Sequence, residues 1–291
     1  MRPPALRPGD AVSVVAPSSP FDRDSFERGL ALLSQRYRPV FAPGLFETRR
    51  YLAGPDERRR SELAEAFASE QTRAVFCARG GYGATRLLEG LDLSRANKLL
   101  VGFSDITALH GALQAAGRVS VHGPVVTQLG VLGPAVAERL FRLLESPAER
   151  PVLRGLPVVE GVVEGPVVGG NLSVLTRLLG TPFAPPVDGA ILFFEDVTER
   201  PYRLDRMWHH LALAGVLRRV AGLALGTFAG CDDPELGGAQ LVRELAEEAG
   251  LPCVLGLPAG HGEANEPFAL GARARLDGRE GTLSFLEGAA Q

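Results

Sequence analysis

The sequence predicts an α/β fold in two domains: a parallel sheet covered by helices over residues 1–150, then a mixed α+β unit over 151–291. Three observations carry this prediction. In the first half, short apolar runs rich in β-branched residues alternate with helical periodicity, the pattern of parallel strands joined by crossover helices. Residues 145–166 are dense in Pro, Gly and Val and have no helical period, so the domain boundary falls inside them. From Ala269 the chain carries short alternating runs, ARARLDG and TLSFL, that read as antiparallel strands. A length of 291 residues suits two domains.

The elements follow in order. Residues 10–16 (DAVSVVA) end at the turn cluster Pro17-Ser18-Ser19-Pro20 and read as a buried first strand. A helix with an acidic start is expected over 22–33, a strand near 39–41 and a charged helix over 55–68. Residues 73–78 (RAVFCA) form a second buried run, followed by a glycine turn and a helix over 84–91. Residues 99–103 (LLVGF) are a further strand, leading into a helix over 105–116. In the second half, Gly169-Gly170-Asn171 opens a helix over 172–179, and AILFF at 190–194 is a strong strand. A helix over 202–214, a strand over 220–228 and a helix over 239–248 complete the pattern.

Composition excludes several classes of function. Hydrophobic residues make up 45% and charged residues 22%, ordinary for a globular protein with a full core. Against 34 acidic residues stand 31 basic ones, and no basic stripe with interleaved aromatics invites nucleic acid. No run approaches the roughly 20 apolar residues that span a bilayer, and the N-terminus has no apolar signal core, so a cytoplasmic location without membrane contact is expected. The three cysteines, Cys77, Cys231 and Cys253, contain no CxxC pair and read as buried free thiols.

Several residues suit chemistry, each with a plainer alternative. Ser104, in Gly102-Phe103-Ser104-Asp105, sits where a strand meets a helix. That junction suits either an exposed nucleophile or a simple helix N-cap. Arg79-Gly80-Gly81-Tyr82-Gly83 ends the preceding strand, so its N–H groups suit an oxyanion hole or only a turn. It lacks the third glycine of a dinucleotide fingerprint and the Lys-Ser/Thr of a P-loop, and no cofactor is expected. Glu195 closes the AILFF run, with Asp196 and Glu199 close behind; one of these carboxylates suits the orientation of a histidine base. His261 lies in a glycine-flanked loop, where it is either a proton shuttle or merely solvated. Asp205 and His209 are four apart on a helix but have no evident third ligand, so no metal site is expected.

Taken in order, RGGYG, GFSDITALH, SVHGP, GPVVGGNLSVLTRLLGTP, ILFFEDVTERPYRLDRMWHHL and GHGEANEPFALG resemble the LD-carboxypeptidases of the S66 type. That family includes murein tetrapeptide carboxypeptidases and microcin C immunity peptidases, and the resemblance runs from LRPGDAVSVVAPSSP across nearly the whole chain. It implies a Rossmann-like N-terminal domain, a C-terminal domain and an active site in the cleft between them. It further implies a Ser-His-Glu triad of Ser104, His261 and Glu195, with Glu199 as the runner-up acid. The implied oxyanion donors are the backbone N–H groups of Asp105 and Gly81. The implied substrate is a small cytoplasmic murein peptide that loses terminal D-alanine from an L,D-bond; Arg79 is the candidate partner for its carboxylate. An immunity-type peptidase acting on an aminoacyl-nucleotide conjugate and a catalytically idle ligand-binding homologue are the alternatives, and a family-like homodimer is an option.

Overall fold

The computed structural model describes residues 1–94 and 96–291. The first sheet contains β1 (Ala11–Val15), β2 (Arg38–Val40), β3 (Ala74–Cys77), β4 (Leu99–Gly102) and β5 (Ser120–His122). These strands pair parallel in the order β5-β4-β3-β1-β2. Helices α1 (Arg23–Ser34), α2 (Asp56–Ala68) and α3 (Thr107–Ala115) lie between strands as crossovers. The strands read as unbroken apolar runs because both faces are covered. Alternate residues then sort to opposite sides: Val12, Val14, Ala74, Phe76, Leu99 and Val101 enter one core, while Val15, Val75, Cys77 and Leu100 enter another.

Two expectations change here. The helix expected over 84–91 is a 3-10 turn, Ala84–Leu87. Gly83 (φ +132°) and Gly90 (φ +84°) bracket it in left-handed conformations, leaving too short a stretch to propagate an α-helix. The helix expected from 105 starts at Thr107, because Ser104–Ile106 winds as a tight 3-10 turn first. Two helices that the sequence reading did not assign follow β5: α4 (Val126–Leu132) and α5 (Pro134–Glu145), divided by Gly133 at φ +82°. Helices α1 and α4 cross at glycines. A β-carbon on Gly29 would lie 1.8 Å from the Val126 carbonyl oxygen, and one on Gly130 would lie 2.2 Å from that of Ser25.

The second sheet is mixed. It contains β6 (Val152–Arg154), β7 (Leu156–Val159), β8 (Val162–Asn171), β9 (Ile191–Val197), β10 (Gly222–Ala229) and β11 (Cys253–Leu255). Strands β8, β9, β10 and β11 are parallel neighbours, with β7 antiparallel at the edge beyond β11. The chain then crosses back: β12 (Phe268–Leu270) pairs antiparallel with β5 of the first sheet. The expected antiparallel tail is present as β13 (Arg273–Asp277) and β14 (Thr282–Phe285), which extend the second sheet between β8 and β6. Ile191 and Phe193 join the core shared with the first sheet, while Leu192 and Phe194 pack against α6 (Leu172–Leu178) and α7 (Pro201–Leu213). The fold is thus a two-domain α/β arrangement with a mostly parallel first sheet and a mixed second one.

Candidate active site

In both sheets the parallel strands aim their carboxyl ends at one cleft, the usual place for a ligand in such folds. Strand β4 delivers Ser104. Its φ is +64°, a left-handed conformation that costs a non-glycine residue about 1–3 kcal/mol. The sharp turn is possible because Gly80 comes close: a β-carbon there would lie 2.9 Å from Ser104 Cβ and 3.3 Å from the Asp105 nitrogen. The capping alternative fails, since no side chain caps this turn and Ser104 Oγ instead lies 3.1 Å from His261 Nε2.

His261 stands on the loop that follows β11, half-buried, with its ring 4.7 Å from that of Phe103. Its Nδ1 lies 2.7 Å from Glu195 Oε2, and its backbone N–H donates to the same oxygen at 3.2 Å. A carboxylate only accepts, so Nδ1 carries the proton and Nε2 is free to accept from Ser104. Glu195, on β9, is fully buried, which is costly without partners. Asn171, at the end of β8, supplies another by donating from Nδ2 to Glu195 Oε1 (3.3 Å) and to Asp196 Oδ1 (3.1 Å). Asp196 also accepts from the Ser173 N–H (2.9 Å) and hydroxyl (2.8 Å). Burial lowers the affinity of His261 for a proton, but the hydrogen bond and charge of Glu195, with the charge of Asp196, outweigh it and raise its pKa above 6.5.

The other side of the cleft is held from beneath. The Asp105 carboxylate, 3% exposed, accepts from Ser18 Oγ (2.6 Å) and from the Ala84 N–H (2.8 Å), and burial raises its pKa. Buried Arg59 donates to the carbonyls of Pro17 and Gly83. Together they tie the turn after β1 to the C-terminal end of the glycine loop. Gly81 (φ +105°) packs on Ser19, where a β-carbon would meet Oγ at 2.5 Å. The two domains meet where the Asn171 N–H donates to Thr107 Oγ1 at 2.8 Å, directly beyond the Ser104 turn.

Most of the residues singled out from sequence therefore meet in one place. Ser104, His261, Gly81 and Arg79 line a single cavity of about 600 Å³, with Glu195 buried behind His261. Glu199 does not reach His261; its carboxylate lies on Ser173 Oγ (3.3 Å) and Arg203 (3.3 Å). Asp205 and His209 pair with each other at 3.0 Å on an exposed face of α7. His110 is buried, donating from Nε2 to the Gly102 carbonyl (2.9 Å) and accepting at Nδ1 from Ser120 (2.8 Å); burial pulls its pKa down to about 4. His122 is buried and stacked on Phe268 at 4.9 Å. All three cysteines are buried free thiols. Sequence reasoning missed Asn171, Arg59, Thr107 and Asn265 as organisers of the site; Asn171, Thr107 and Asn265 lie in the motifs GPVVGGNLS, GFSDITALH and GHGEANEPFALG, whereas Arg59 lies in none of them.

Fold and site define a class: two-domain α/β proteins with a serine, a histidine and a buried glutamate hydrogen-bonded in series in the interdomain cleft. The chain belongs to the LD-carboxypeptidase family. The N-terminal domain model of that family matches residues 12–123, and its C-terminal domain model matches residues 164–276. A Synechocystis protein with a provisional carboxypeptidase assignment is 39% identical over 98% of this chain and 97% of its own length. The murein tetrapeptide carboxypeptidase of Pseudomonas aeruginosa is 36% identical over 92% of this chain and 93% of its own. Among solved structures, MccF in complex with glutamyl sulfamoyl guanosine superposes with a TM-score of 0.90 at 22% identity, covering 100% of both chains. This chain is thus a carboxypeptidase-family hydrolase. No helix among the described residues is long and apolar enough to cross a membrane.

Proposed function

We propose that the protein is a serine LD-carboxypeptidase that removes terminal D-alanine from a murein tetrapeptide in the cytoplasm, using Ser104, His261 and Glu195. One observation carries this reading: the unbroken series Ser104 Oγ to His261 Nε2 (3.1 Å) and His261 Nδ1 to Glu195 Oε2 (2.7 Å). His261 takes the hydroxyl proton as Ser104 attacks the scissile carbonyl, and Glu195 holds the imidazole tautomer and balances its charge. The backbone N–H groups of Asp105 and Gly81 receive the oxyanion, each such donor being worth about 2.7–4 kcal/mol. His261 then protonates the leaving amine, and water, deprotonated by the same ring, cleaves the acyl-enzyme and restores Ser104. Arg79, at the cavity wall, faces the carboxylate of the departing D-alanine.

The murein reading is supported by the name of the Pseudomonas aeruginosa relative and the high coverage of both chains. The immunity-type alternative draws on the likeness to MccF, which at 22% identity speaks for the fold alone. The only tryptophan of this chain, Trp208, is buried in α7 with its ring 6.1 Å from Phe194, so it is not available to stack on a nucleobase. An idle homologue is separated by fluorophosphonate labelling. The proposal expects stoichiometric modification of Ser104, located by peptide mass mapping. A folded protein that stays unlabelled contradicts it.

A further inference from the structure

One polar side chain at the cavity has its hydrogen-bonding polarity forced by its neighbours. The Gly260 N–H donates to Asn265 Oδ1 at 3.0 Å. A backbone N–H can only donate, so the other arm of the Asn265 amide is its NH2 group. That group reaches Gln128 on α4, at 2.8 Å, and must meet its oxygen. The Gln128 oxygen is thus engaged, and its own NH2 is the free end. Asn265 is fully buried, so the assignment is not blurred by solvent.

Gln128 lines the same cavity as Ser104, His261 and Arg79. Among the described residues no acceptor takes up its NH2. The one carboxylate on the cavity wall, Asp22, already spends Oδ1 on the Ser25 N–H (2.8 Å) and hydroxyl (2.7 Å). Arg79 adds a guanidinium, part of which is anchored on the Pro20 carbonyl. Asp22 stays an ionised acceptor on this wall, so the donors it offers to whatever lies before Ser104 are the Gln128 NH2 and the Arg79 guanidinium. A carboxylate, which only accepts, matches such a wall; a carboxamide brings donors of its own and no charge.

We infer that Gln128 is a specificity residue whose NH2, beside the Arg79 guanidinium, receives the free C-terminal carboxylate of the substrate. The inference rests on the peptidase reading above. It also gives Asn265 a part, since this residue fixes Gln128 with one arm and the His261 loop with the other.

The test compares the murein tetrapeptide as free acid with its C-terminal amide, on wild type, Gln128→Glu and Gln128→Met. Gln128→Glu keeps an oxygen for the Asn265 NH2 and replaces the free donor with an acceptor. Its kcat/KM on the free acid falls about 10- to 100-fold, the range for a hydrogen bond to a charged group, mainly through KM. Its rate on the amide stays within about threefold or rises, because this peptide makes no charged contact there. Gln128→Met, similar in size and without donors, shows the same acid-selective loss. Equal losses on both peptides, or no loss on either, overturn the inference alone. A wild-type protein that cleaves neither peptide overturns the peptidase reading and the inference with it.

Discussion

Gly260 lies so close to Glu195 that a β-carbon on it would sit 2.5 Å from Oε2 and 2.7 Å from Cγ. With φ at +118°, it lets the loop rest on the buried carboxylate, so that His261 presents both its backbone N–H and its ring to one oxygen. Gly260→Ala pushes the loop away. Displacements of about 1 Å cost roughly 10²-fold in rate, so kcat falls by that order while thermal unfolding shows a folded protein. A folded Gly260→Ala enzyme with wild-type kcat contradicts the role given to this contact.

Replacing Ser104 separates chemistry from strain. Ser104→Ala and Ser104→Gly both abolish turnover and retain the fold. Alanine keeps the strained β-carbon at φ +64°, whereas glycine relieves it. Ser104→Gly is therefore more stable than Ser104→Ala by about 1 kcal/mol. Denaturant melts of the two variants decide this, and a less stable glycine variant contradicts the strained turn.

The carboxylates behave differently. Glu195→Gln slows turnover far more than Glu199→Gln, because only Glu195 touches His261. The pH profile carries a second signature. A general base works in its neutral form, and the pKa of His261 is raised, so kcat/KM climbs with pH through an apparent pKa above 6.5. In Glu195→Gln the raising charge is gone while burial persists, so the limb moves to lower pH. A limb that does not move, or a worse Glu199→Gln, assigns the acid wrongly.

The strands were readable in the sequence because both faces of each sheet are covered, which turns alternation into apolar runs such as AVSVV and ILFF. The helix expected over 84–91 was not, since positive φ at Gly83 and Gly90 depends on what packs there: a β-carbon on Gly83 would meet Leu52 and Arg59. On its local fragment Ser104 was ambiguous between cap and nucleophile; only the resemblance of several distant motifs pointed to the nucleophile, and the structure adds its left-handed backbone and the hydrogen bond to His261, 157 positions away. The residues that organise the cleft were least legible. Asn171 acts on Glu195 across 24 positions and Asn265 on Gln128 across 137, contacts that no local pattern encodes.

Turnover is expected to survive dialysis against a strong chelator. The chemistry proposed for Ser104 needs no Lewis acid, and the paired Asp205 and His209 stand exposed on α7, away from the cleft residues. A loss restored by zinc or manganese moves the reaction to a metal-activated water.

The central claim is the L,D-carboxypeptidase reaction, and a paired assay of released alanine by mass spectrometry tests it most directly. Ser104 and its oxyanion donors accept one face of the scissile carbonyl. Inverting the stereocentre on the acyl side drives that side chain into the wall or moves the carbonyl out of reach. The tetrapeptide ending in an L-centre-to-D-alanine bond is therefore cleaved, while the pentapeptide ending in D-alanyl-D-alanine is cleaved at least about 10²-fold more slowly. Equal rates on both peptides, or cleavage of an aminoacyl-nucleotide conjugate alone, contradict the assignment.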